Sequence, residues 1–205
     1  MGIAERKERE KVELREHILQ GAMDVFTEVG YEQATIRKIA QRIEYSPGTI
    51  YLYFTDKDAI LFELHKRAFG ELEGAFAPLL TIDDPVERIR QMGHTYIRFA
   101  LDKPMLYELM FILQAPMKAE EVCDDWEEGH RSFLFLVEAV KQAQQANRFS
   151  QASPEVIALS FWSSVHGLAA LYLRDRFKMF AEEEVPQLIA GSIDAMIHCF
   201  SRGAD

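Results

Sequence analysis

Hydroxyls, cations and small residues able to meet a phosphate backbone crowd into one stretch of this chain. Ser46-Pro47-Gly48-Thr49 leads into Tyr51 and Tyr53, with Arg37, Lys38 and Lys57 on either side. Hydroxyl, guanidinium and ammonium groups donate to phosphate oxygens. A segment opening on small residues also lets its backbone come close to a target. The requirements of catalysis are not met in the same way. No two glycines are separated by one residue, so G-x-G phosphate loops are absent. No G-x-S-x-G nucleophile elbow occurs. Glu127-Glu128-Gly129-His130 holds one Glu-x-x-His, the spacing of di-iron helix bundles. Such a site needs a second copy, and none of His17, His65, His94, His166 or His198 has Glu three residues before it. Cys123 and His130 alone cannot complete a zinc shell. The acidic run Asp124, Asp125, Glu127 and Glu128 reads as the solvated start of a helix. No catalytic residue, metal or cofactor is expected.

The elements that must position these groups are helical. Ile18, Ala22 and Phe26 recur at i, i+4, i+8, and Val86, Ile89, Met92 and Tyr96 at steps of three and four. Phe133, Val137 and Val140 repeat the pattern, as do Ile189, Ile193, Ile197 and Phe200. No two-residue alternation bounded by hairpin turns appears, so no strand is expected. Ser46-Pro47, Asp84-Pro85 and Ser153-Pro154 each offer a capping side chain followed by a proline suited to the first helical position. Thr55 and Asp58 have capping-box-like spacing, and Gly30 is a left-handed stop. The pattern predicts helices near 12–29, 35–43, 47–53, 56–76, 85–101, 105–114, 125–147, 154–177 and 185–201. The fold class expected is all-α. A three-helix DNA-binding domain over 12–72 is joined to a larger helical domain over 73–205, with a long fourth helix bridging the two.

Helices near 35–43 and 47–53 are joined by only Glu44-Tyr45-Ser46. Two short helices around so tight a turn make a helix-turn-helix. The first braces across the phosphate backbone while the second enters the major groove end-on. Ile39, Ala40, Ile43, Ile50 and Phe54 would form the small core beneath.

At these residues the chain resembles the TetR-type transcriptional regulators. Ile18 to Tyr31 is similar to their first helix, Thr35-Ile36-Arg37-Lys38-Ile39-Ala40 to the start of their second, and Ser46 to Lys57 to their recognition helix and the start of the fourth. The resemblance implies that Thr35 hydrogen-bonds a phosphate and that Tyr53 and Lys57 clamp the backbone. Pro47, Gly48, Thr49, Tyr51 and Leu52 would lie nearest the base edges, with Arg37 reaching in. Ile43 and Glu44 stand where the family has a small residue and glycine, so Glu44 must take the turn without glycine's freedom. Leu52 stands where the family often has a polar residue; leucine can read a thymine methyl but cannot donate to guanine.

Helix 154–177 is apolar around its circumference, which calls for burial on all sides. Val156 to Leu173 carries no Asp, Glu, Lys or Arg, the lower length limit for a membrane span. Ser160, Ser163, Ser164, His166 and Gly167 within it favour a helix buried in protein. Its second face is expected to meet a second subunit, together with helix 185–201; the family resemblance implies a four-helix dimer bundle there. Trp162, His166 and Gly167 resemble the Trp-His-Gly signature of one C-terminal subclass, which implies that they border a regulatory cavity. A core tryptophan, a satisfied buried histidine and a close-packing glycine fit the same residues equally. Inward positions Tyr96, Met105, Met110, Phe111, Trp126, Phe133, Trp162 and His166 are the candidate lining for an apolar effector.

The chain has 205 residues and a net charge of -10. Up to Arg67, 11 Lys and Arg face 12 Asp and Glu; beyond it, 12 face 21. The acidity therefore lies in the C-terminal two thirds, leaving the first third free to approach a polyanion. The charged N-terminal arm from Arg6 to Arg15 interleaves both signs and reads as a solvated helical extension. With two cysteines and no charged-then-apolar leader, a reduced cytoplasmic location is expected. The resulting expectation is a homodimeric repressor that binds a near-palindromic DNA operator and is released by an apolar small molecule. Two other readings stay open: an all-α bundle enzyme with a metal site, and a helical dimer that binds a small molecule without DNA.

Overall fold

The computed structural model describes residues 2–113 and 127–201. Trp126 and Cys123 lie outside the described residues. Nine α-helices are found among those described, and no strand; Phe149 and Ser201 form an isolated bridge. The chain divides into two compact units. One holds the described residues 2–67 and 109–113, the other 68–108 and 127–201.

The first unit is built on α1 (Ile3–Val29), α2 (Ile36–Arg42), α3 (Pro47–Tyr51) and the opening turns of α4 (Lys57–Phe76). Ile18, Leu19, Ala22, Val25 and Phe26 bury one stripe of α1. Its apolar pattern begins near residue 12, but the helix starts at Ile3, through the arm read as a solvated helical extension. The interleaved arm carries it there, with i,i+4 ion pairs Arg6–Glu10 at 2.7 Å and Arg9–Glu13 at 3.7 Å. Gly30 ends α1 with positive φ, as expected, but its ψ of 158 puts it in the extended mirror region open to glycine rather than the left-handed helical one. Arg67 bonds both oxygens of Glu16 and reaches Glu63, which also holds Arg15 at 3.1 Å. This network ties α1 to the start of α4. Burial alone would push the Glu63 carboxyl up, but the bonds from Arg15 and Arg67 outweigh it and hold it below the ordinary range.

Gly21 sits on α1 where α2 crosses. A Cβ there would lie less than 3.0 Å from the Cγ2 of Ile43, a distance real side chains do not reach. Ile43, the α2 C-cap, thus occupies the volume that any larger residue at 21 would need.

The second unit is built around α5 (Pro85–Asp102), against which α7 (Glu127–Gln145), α8 (Pro154–Leu173) and α9 (Val185–Phe200) all pack. Val86, Ile89, Met92, Tyr96 and Phe99 form the buried stripe of α5. Gly93 allows the closest approach: a Cβ there would touch Ile193 and Val165 at 3.4 Å. The shorter α6 (Pro104–Phe111) ends three residues earlier than expected. The end of α8 comes four residues early, at Leu173 rather than 177, because Asp175 takes a left-handed φ of 56. Asp84 caps α5 by accepting from Val86 N at 2.9 Å. Ser153 makes no such bond; its hydroxyl donates to the Glu155 carboxylate at 2.6 Å. At α4 the cap is Asp56, accepting from Ala59 N at 2.8 Å, and not Thr55, whose hydroxyl donates to Asp56.

Within one chain α8 is buried on one side only. Ile157, Ala158, Phe161, Val165 and Ala169 are closed in, while Val156, Leu159, Leu171 and Tyr172 remain exposed. On α9, Leu188 is also exposed.

Candidate functional site

The turn between α2 and α3 is closed by backbone bonds alone. Tyr45 N donates to Ala40 O at 2.9 Å and Glu44 N to Gln41 O at 3.3 Å, the paired bonds of a Schellman motif. Glu44 occupies the position glycine favours, with φ of 59. The tilt of α3 therefore depends on a strained non-glycine residue, at a cost of about 1 kcal/mol.

Buried Ile36, Ile39 and Ala40 hold α2 with its N-terminus outward. There Thr35 is exposed and accepts from Lys38 N at 3.2 Å. On α3, Ser46 accepts from Thr49 N at 3.1 Å, and its hydroxyl lies 2.9 Å from that of Thr49. Pro47 follows at the first helical position. Ile50 is 0% exposed and anchors the helix, while Tyr51 is 57% and Leu52 81% exposed. The helix ends at Tyr51, two residues short of the expected boundary, and Tyr53 is half-buried. Gly48 is exposed, its φ is not positive, and a Cβ on it would meet only Ser46 Oγ at 3.6 Å. Nothing in the fold requires glycine at that position.

The expected phosphate cations differ in their surroundings. Arg37 is exposed, with no intramolecular partner among the described residues. Lys38 Nζ donates to Gln33 O at 2.9 Å. Lys57 Nζ donates to Tyr31 O at 3.0 Å and Ala34 O at 3.5 Å, and lies 4.2 Å from the centroid of the Tyr31 ring. Two of the three cations thus brace the loop leading into α2. The Tyr31 hydroxyl bonds Asp58; burial, then that carboxylate, pushes its pKa well above the ordinary value. Tyr45, absent from the expected set, is exposed beside this tip with its ring edge-on to His17 at 6.2 Å.

The second unit contains a polar cluster in which Tyr96 and Tyr107 are buried and Trp162 and His166 half-buried. Trp162 Nε1 donates to the Tyr96 hydroxyl at 3.4 Å, and that hydroxyl lies 3.1 Å from His166 Nδ1. Tyr107 approaches the same nitrogen at 3.0 Å and His166 O at 3.2 Å. One lone pair cannot accept from both tyrosines. A consistent assignment has Tyr96 donating to Nδ1 and Tyr107 to the carbonyl. Phe133 adds its ring 6.0 Å from Trp162. Burial pushes His166 below its ordinary pKa and Tyr107 up to about 12, so the cluster is neutral near pH 7. Tyr96, Phe133, Trp162 and His166 therefore come together as a group. Met105 is half-buried on α6, Met110 and Phe111 group with the first unit, and Trp126 is not among the described residues. Tyr107 is the member that sequence reasoning misses. A hydroxyl in the apolar run Pro104-Met105-Leu106-Tyr107 needs a partner once buried, and that is the available signal.

Residues 18–64 match the family model described as bacterial regulatory proteins of the tetR family. Residues 89–196 match that of the tetracyclin repressor-like C-terminal domain. An HTH-type transcriptional repressor of Mycobacterium tuberculosis is 48% identical over 53 residues, and the fatty acid metabolism regulator protein of Bacillus subtilis 43% over 54. Each of these matches covers 26% of this chain and 28% of the relative's length. The solved structure of a fatty acid degradation regulator from Bacillus halodurans superposes with a TM-score of 0.70 at 18% identity, covering 93% of this chain and 95% of its own. That likeness shows the fold. With one family model on the helix-turn-helix and another on more than half of the chain, the protein belongs to the TetR family of DNA-binding transcriptional regulators.

Proposed function

We propose that the protein is a ligand-responsive repressor acting as a homodimer on a near-palindromic operator. In this reading α3 enters the major groove, with Ser46, Pro47, Gly48, Thr49, Tyr51 and Leu52 nearest the bases and Arg37 reaching in from α2. Thr35, Lys38, Tyr53 and Lys57 hold the flanking phosphates. Lys57 has three donors, and two carbonyls take only two of them. The observation that carries the reading is the contrast along α3. Ile50 is sealed in the core, and the next two large side chains stand in solvent. A five-residue helix displaying its side chains in this way is a docking tip.

Dimerisation supplies the second tip. Two half-sites need recognition helices about 34 Å apart, one turn of duplex. The open side of α8, with Val156, Leu159, Leu171 and Tyr172, and Leu188 on α9, supports pairing through these helices. The effector is an apolar molecule carrying one uncharged hydrogen-bonding group, held in the second unit around Tyr96, Phe133, Trp162 and His166. A neutral cluster disfavours a buried charge. Regulators of fatty acid metabolism and degradation among the similar proteins support an apolar class. Binding is transmitted through α4 and alters the spacing of the α3 helices; a coupling of about 1–3 kcal/mol is enough to release DNA. This role places the protein in the cytoplasm.

The test is selection of genomic fragments on the purified protein at low salt, followed by release with apolar ligands of graded chain length. Retained fragments sharing an inverted repeat, and their release by one ligand class, are expected. A monomer that retains no fragment would overturn the proposal.

A further inference from the structure

From Tyr45 to Thr55 the chain carries no charged and no amide side chain. The pairings that single out one base use those types, Arg or Lys on guanine, Asn or Gln on adenine, Asp or Glu on cytosine, whereas Ser and Thr hydroxyls serve any base. The two short hydroxyls of α3 are engaged with each other at its cap, where Ser46 Oγ and Thr49 Oγ1 lie 2.9 Å apart. The large apolar side chain most open to solvent is a branched hydrocarbon, Leu52, at 81% exposure. Its stem is fixed, because its backbone N–H donates to the carbonyls of Ile50 and Thr49. A rigidly mounted apolar group on a docking tip has one matching feature in the major groove, the methyl on C5 of thymine.

We infer that Leu52 reads a pyrimidine C5 methyl, one per half-site, so that 5-methylcytosine substitutes there for thymine. The two bases carry that methyl at the same ring position and differ in the neighbouring exocyclic group, an acceptor in thymine and a donor in cytosine. Leucine has no polar atom and does not sense that difference. The inference rests on the reading in which α3 enters the major groove.

The test uses the full-length protein and a duplex recovered by fragment selection. Each half-site pyrimidine is presented in turn as thymine, deoxyuridine, cytosine and 5-methylcytosine. At one position, removing the methyl should weaken binding about fourfold per half-site and about fifteenfold when both are changed, for thymine against deoxyuridine and for 5-methylcytosine against cytosine alike. Leu52→Ser, a change at an exposed side chain that leaves the core intact, should abolish both differences while retaining phosphate-driven, salt-dependent binding. Methyl sensitivity that persists in Leu52→Ser, or its absence at every half-site pyrimidine of a duplex that is bound, overturns the inference and leaves the groove reading standing. Failure to bind any duplex overturns both.

Discussion

Gly21→Ala tests how the DNA-binding unit is packed. On an exposed helix face the change would stabilise the protein by about 1 kcal/mol, the propensity difference between the two residues. Here the new methyl falls less than 3.0 Å from Ile43 Cγ2, against the roughly 3.5–4.0 Å that carbon atoms prefer. Ile43 cannot yield. It is 3% exposed, its branched side chain is stiff about χ1, and its backbone leads directly into the left-handed Glu44. Relief must come from separating α1 and α2. Overpacking of this kind costs about 1–3 kcal/mol. With overlap this severe, a cost at the upper end less the propensity gain leaves a net loss of about 2 kcal/mol. Ile43→Ala alone should cost about 2–5 kcal/mol through lost burial. In the double variant the methyl added at position 21 enters the vacated space and the overpacking is relieved, so the loss should fall below the sum of the single losses by about 3 kcal/mol. Urea unfolding of the four proteins in a double-mutant cycle, with unchanged m-values, measures that coupling. Gly21→Ala more stable than the parent, or strictly additive losses, would show that this reasoning about the α1–α2 crossing is wrong.

Other expectations concern function more directly. Gly48→Ala should leave thermal stability equal or raise it by up to about 1 kcal/mol, yet weaken operator binding more than about tenfold by blocking close approach; unchanged binding would free Gly48 of any role at the interface. Lys57→Ala should weaken binding to all duplexes alike and flatten the salt slope by about one per subunit, with some loss of stability from the Tyr31 and Ala34 carbonyls it braces. An unaltered slope in filter-binding titrations would remove it from the phosphate contacts. Leu159→Glu should convert a dimer to a monomer in analytical ultracentrifugation, and a persistent dimer would locate the interface elsewhere. His166, held neutral by burial, has its folded pKa below 6.5. As pH falls through that value the unfolded chain takes up the proton first, so stability is fully present above it and declines toward the folded pKa. Urea midpoints between about pH 8 and 5.5 should show the decline, and His166→Gln should reduce it.

Local signals carry much of the architecture. Ser46-Pro47 and Asp84-Pro85 mark helix starts because a cap and a fixed φ act within two or three residues. Glu44 is recognisable as a strained turn residue because it stands where the family places glycine. Features set by tertiary contact are not legible. The dependence of Gly21 on Ile43 needs the crossing of α1 and α2. Engagement of Lys57 by Tyr31 and Ala34 needs the loop path between those helices. The early start of α1 has no apolar stripe to mark it and is legible only in the i,i+4 charge spacing of its exposed first turns. In the second unit, the size and type of Tyr96, Trp162 and His166 single them out. Only the packing of the second unit discloses that they share hydrogen bonds and that Tyr107 joins them.

The even balance of charge up to Arg67, 11 cations against 12 anions, bears on how the protein searches a chromosome. Residence on random sequence is governed by how many counterions a protein displaces from the duplex. A unit whose anions offset its cations displaces few, so encounters with random sequence are brief and most of the selectivity falls to shape and groove contacts. Such a regulator gives up sliding distance along DNA for rapid turnover among sites.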